Sequence, residues 1–118
     1  MANLTLVTPI PPQTVVPGEV FAISMHVHDD GSNFNWNNFT PKAYISVGTV
    51  KLESTTNTVN NQAGGTATVA WTAAVVTGTA ALPANSWGTI VLYADPTSGS
   101  ENRHIATIFA RITAESIP

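Results

Sequence analysis

Cysteine is absent from all 118 residues, which excludes a disulfide framework and any zinc site built on thiolates. Charge is scarce as well. Asp, Glu, Lys and Arg make up 9% of the chain, against roughly 25% in ordinary soluble domains. The four basic residues do not cluster and the formal net charge is -3, so the several cationic contacts that give affinity for nucleic acid have no source. Long apolar runs are missing too. The opening MANLTLVTPIPPQTVVPG has no positive leader and is broken by Pro9, Pro11, Pro12 and Pro17, so neither a signal peptide nor a membrane span is expected there. Runs of Ala, Leu, Glu and Lys at helical spacing do not occur, which excludes a helical domain.

What is present is apolar material spread evenly. Hydrophobic residues reach 43% and the mean hydropathy is +0.13, enough for one core in a 12.4 kDa chain without metal or disulfide support. Polarity comes from Thr, Asn and Ser. A surface so poor in charge departs from the exterior that keeps a lone monomer soluble, and it points to a protein that works packed in an assembly.

Hydrophobic periodicity is two nearly throughout. Glu19 to His28 sets Phe21, Ile23, Met25 and Val27 on one face, and Asp29, Asp30 and Gly31 follow as a turn. Lys42 to Leu52 alternates Ala43, Ile45 and Val47 with Tyr44 and Ser46. Ser54 to Gly65 reads as a polar hairpin loop, and Thr66 to Val76 as a strand centred on Trp71. Thr77 to Asn85 reads as a crossing connection, before a strand from Trp87 to Ala94 that is apolar on both faces, as in a strand covered on each side. The polar DPTSGSEN then precedes a closing strand from Arg103 to Thr113. The expected fold is an all-β, immunoglobulin-like or jelly-roll-like antiparallel sandwich of about 6–7 strands. Residues 1–18 are expected as a first strand and a Pro-rich arm, 19–113 as the sandwich and 114–118 as a tail. Its core is expected to include Phe21, Ile23, Met25, Val27, Ile45, Val69, Trp71, Val91 and Ile108.

Chemistry finds little support in the residues. His26 and His28 share one strand face and run into Asp29 and Asp30, the only grouping with metal-ligand types, yet further ligands at suitable spacing are lacking. We expect no metal and no cofactor. No serine stands in a nucleophile elbow, and His104, Asp95, Ser98 and Ser100 lie around a hairpin whose composition backbone conformation already explains. The expectation is a protein without catalytic residues. Phe34, Trp36 and Phe39 stand close together in an Asn-rich loop, where flat rings serve either as a plug or protein contact, or alternatively as a platform for a glycan. With Pro9, Pro11, Pro12 and Pro17 they are the candidate partner-contact residues.

The segment ALPANSWGTIVLYADPTSGSENRHIATIFARIT, with the earlier PGEVFAISMHVHDDG, resembles the small immunoglobulin-like domains of tailed-phage virion proteins, such as the N-terminal domain of baseplate upper proteins. In both, a Leu-Pro turn leads into an aromatic-bearing strand, a polar hairpin and a closing strand of small and β-branched residues. The resemblance implies a bacteriophage virion component of baseplate, fibre or capsid decoration, made in the host cytoplasm. Its partners would be other virion proteins in a homo-oligomer or symmetric array, with a carbohydrate-binding module as the alternative.

Overall fold

The computed structural model describes residues 4–16, 19–72, 86–97 and 101–113. Among these there is no helix, and ten strands form two sheets. They are β1 (Leu4–Leu6), β2 (Gln13–Val15), β3 (Phe21–Asp29), β4 (Ser32–Asn33), β5 (Phe39–Val47), β6 (Val50–Glu53), β7 (Thr56–Asn61), β8 (Thr66–Trp71), β9 (Ser86–Pro96) and β10 (Arg103–Ile112). The first sheet runs β1-β3-β8-β7, with β4 as a short appendage on β3, and the second runs β2-β10-β9-β5-β6. β1 pairs antiparallel with β3, whereas β2 crosses over and pairs in parallel with the last strand, β10. The two sheets pack as an all-β sandwich.

Local sequence explains the corners. Asp30 and Gly31 both take positive φ, 51° and 86°, between the paired Asp29 and Ser32, the conformation that favours Asp-Gly in a two-residue hairpin. Gly88 meets a different demand. A Cβ there would stand 2.3 Å from the Ser46 carbonyl oxygen and 2.6 Å from Val47 Cγ2, so β9 approaches the end of β5 as closely as it does only because no side chain intervenes.

The core lies between the sheets. Ile23, Met25, Val27, Val69 and Trp71 from the first sheet face Ile45, Leu52, Ile90, Leu92 and Ile108 from the second. Trp71 is fully enclosed, and its indole N–H donates to the Leu52 carbonyl at 2.9 Å, tying β8 of one sheet to β6 of the other.

The strand expected at the N-terminus is β1, and the Pro-rich stretch after it holds β2; Leu4 and Val15 are buried and the two strands complete an edge of each sheet. Two expectations are corrected. The polar stretch from Ser54 to Gly65 holds strand β7, since an edge strand with one solvent face needs no apolar run. Val91 points outward, with Ile90, Leu92 and Ala94 inside instead, while Phe21 is only partly buried against Trp71. The connection expected from Thr77 to Asn85 and the tail at 114–118 lie outside the described residues, as do Val75 and Val76.

Candidate interaction surface

The aromatic loop closes one end of the sandwich from within. Phe34 and Trp36 are each 2% exposed, and Phe39 packs partly buried against the core. Their rings meet edge to face, Phe34 with Trp36 at 4.8 Å and Phe34 with Phe39 at 5.1 Å between centroids. Backbone bonds pin the loop: Phe34 N–H donates to the Val27 carbonyl at 2.8 Å and Trp36 N–H to that of Gln62 at 3.1 Å. Arg103 covers it, its guanidinium 5.6 Å from the Phe34 ring and 5.8 Å from that of Phe39, with Asp29 3.8 Å away. Phe34 and Trp36 therefore serve as the plug, one of the readings expected of this loop, and offer no ring face to a sugar or a partner.

Pro9, Pro11 and Pro12 are exposed between β1 and β2, and Pro17 lies outside the described residues. Pro9 and Pro11, with Thr8, wall a groove of about 440 Å³ over Ser24, His26 and Thr68 on the outer face of the first sheet. Its polar groups largely satisfy one another. Ser24 and Thr68 hydroxyls lie 3.2 Å apart, Thr68 donates to Asn60 Oδ1 at 2.8 Å, and the His26 ring is 2.8 Å from Asn33 Oδ1. His26 and His28 rings sit edge-on at 5.4 Å, and among the described residues no three of His, Asp and Glu gather in a metal-binding arrangement.

The outer face of the second sheet is of another kind. Alternation along β9 turns Trp87, Thr89, Val91, Tyr93 and Asp95 outward, and along β10 Thr107, Phe109 and Arg111. From β5 come Lys42, Tyr44 and Ser46, and from β6 Lys51 and Glu53. Register assembles them into rows: Arg111 beside Trp87; Phe109, Thr89, Ser46 and Lys51; Thr107, Val91, Tyr44 and Glu53; then His104, Tyr93 and Lys42. Trp87 and Phe109 are diagonal neighbours, each 66% exposed. No known protein family matches this chain, and no curated protein is similar enough to count as a relative.

Aromatic rings on this face thus remain in water without a local reason. Large aromatics bring 150–250 Å² of surface each, so two rings about two-thirds exposed leave roughly 200–300 Å² of apolar area open, before Val91, Tyr44 and Tyr93 are added. A patch of a few hundred Å² is comparable with the largest one on a typical monomer, which is often functional, and makes this face the candidate for contact. Around it the polar groups are already engaged. Lys42 Nζ is 2.6 Å from Asp95 Oδ2, Lys51 lies 4.2 Å above the Tyr44 ring, and His104 is 2.9 Å from the Thr107 hydroxyl. The hydrogen bond to Asp95 raises the Lys42 pKa above its usual 10.5. Burial, with Glu53 nearby, raises that of Tyr93 above 10.0. The two apolar faces of β9 are the signal for this surface in the sequence, and they imply a cover on each side.

Proposed function

We propose that this chain is a structural assembly domain, a building block of a bacteriophage virion that acts through protein–protein contact and performs no catalysis. The observation that carries the reading is the pair Trp87 and Phe109, two-thirds exposed on the outer face of an ordered sheet. Scarce charge favours the same role, because Thr, Asn and Ser surfaces lose less hydration free energy against a neighbour than Lys or Glu surfaces do. Assignment to a phage particle rests on the resemblance carried by the segments 17–31 and 81–113. A glycan-binding role fits this face less well, since Lys42, Asp95, His104 and Thr107, which would bond sugar hydroxyls, are already paired. Particles assembled in phage-producing cells that express the tagged chain test the proposal. The wild type is expected to sediment with them at a fixed copy number and Trp87→Glu to stay behind. Wild type left in the soluble fraction, or equal incorporation of Trp87→Glu, would overturn it.

A further inference from the structure

We infer that the outer face of the second sheet is the seat of a second copy of this chain, which packs face to face about a two-fold axis. The inference rests on the reading of that face as a contact surface and adds the identity of the occupant. Strand β9 is the first reason. Its inward side buries Ile90, Leu92 and Ala94, while its outward side carries Trp87, Val91 and Tyr93. A strand apolar on both sides is a strand with two covers, and the described residues supply one.

Area agrees. Four strands about 4.8 Å apart, each up to about 10 residues at about 3.3 Å, give a footprint on the order of 600 Å². A stable interface takes about 800 Å² of accessible surface from each partner, which a corrugated face of that footprint supplies.

Charge permits a like partner. The chain carries -3 overall, yet this face holds Lys42, Lys51 and Arg111 against Glu53 and Asp95, a formal +1. Negative charge is concentrated elsewhere, so two copies meet here without a strong like-charge field.

The rows are also self-complementary. A two-fold axis lying between the facing sheets and running across the strands keeps each strand over its own counterpart and reverses the order of rows. With that axis between the Thr89 and Val91 rows, Trp87 falls against Tyr93 of the second copy, Phe109 against its Thr107, and Lys51 against its Glu53. Each contact occurs twice. The arrangement puts two opposite-charge pairs at the β6 edge, Phe109 and Tyr44 in the rows beside the axis, and Trp87 against Tyr93 in the two outer rows.

The experiment is a charge exchange read by light scattering and sedimentation equilibrium. Wild type is expected to move from 12.4 kDa towards twice that mass as concentration rises. Lys51→Glu alone and Glu53→Lys alone each place like charges in register, and each is expected to weaken the pair at least about tenfold. Mixed together, the two variants are expected to form a heterodimer with wild-type affinity, because each mutated site then meets its opposite. Phe109→Glu should abolish pairing while the thermal transition of the monomer persists. A wild type that remains 12.4 kDa at millimolar concentration, or single variants that pair like wild type, or a mixture that gives no heterodimer, overturns the inference. A monomeric wild type whose incorporation into particles still depends on Trp87 would sink the second copy alone and leave the assembly role standing. Pairing that passes the charge exchange, in a chain that never sediments with particles, would do the reverse.

Discussion

At the scale of single residues, the two buried tryptophans divide the work of the core differently. Trp71 fills the centre and its N–H bonds the Leu52 carbonyl, whereas Trp36 Nε1 is buried without a protein acceptor. Trp71→Phe therefore removes ring volume and the indole's hydrogen bond to the Leu52 carbonyl, while Trp36→Phe removes ring volume and a polar group that cost free energy to bury. Trp71→Phe should destabilise more than Trp36→Phe by about 1–2 kcal/mol, and Trp71→Ala should cost about 3–5 kcal/mol. Urea midpoints at constant slope check both. Equal losses at the two sites would show that the indole bond contributes nothing. Lys42 and Tyr93 set a pH dependence. Lys42 is held charged by Asp95 beyond its usual 10.5, so its contribution is complete below that value and is lost as pH rises through the raised one. Tyr93 keeps its proton past 10.0 in the fold, and the unfolded chain, which releases it earlier, gains on the native state over the same range. Both signs agree. Stability should stay level to about pH 9.5 and fall above 10, with a shallower fall in Asp95→Asn. The effect of the pair is bounded at about 1 kcal/mol by its exposure.

At the scale of elements, legibility followed how distinct the two sides of a strand are. β3, β5 and β8 have one apolar and one polar face, so Ile23, Met25, Val27, Ile45, Val69 and Trp71 were readable as core from alternation alone. β9 gave two apolar faces, and parity was decided by something alternation does not carry: Gly88 must face inward where β5 comes close. In β10 the register slips between His104 and Ala106, and that bulge turns Ile105 inward as well as Ile108. The exposed face of the second sheet is hard to read for the same reason as the parity of β9, whereas an aromatic cluster in a loop makes Phe34 and Trp36 conspicuous although the core encloses them. Prolines interrupt the N-terminal strands, yet three paired residues in each suffice to seal an edge. Deleting residues 1–16 uncovers β3 and β10 and removes the buried Leu4 and Val15, at a cost on the order of 3 kcal/mol. A truncated chain with the wild-type thermal midpoint would show that β1 and β2 merely lie on the sandwich.

At the scale of the whole molecule, the two outer faces divide the roles. The first sheet presents Thr, Ser, Asn and His in mutual hydrogen bonds, a surface content in water. The second presents Trp87 and Phe109 to solvent and leaves its central strand half covered. The proposed assembly role draws on that asymmetry, and the asymmetry also provides its own reporter. The chain has three tryptophans, of which Trp36 and Trp71 are 2% and 0% exposed and Trp87 is 66% exposed. Quenching of fluorescence by iodide consequently reads Trp87 against a silent background. The central claim, that this face is covered when the protein works, is tested most directly by following iodide quenching as the concentration of the pure chain rises. The account predicts a quenchable fraction that is large in dilute solution and disappears over the range in which the mass doubles, with Phe109→Glu remaining quenchable throughout. Quenching that stays at its dilute value while the mass doubles would contradict it, because the copies would then be meeting through some other surface.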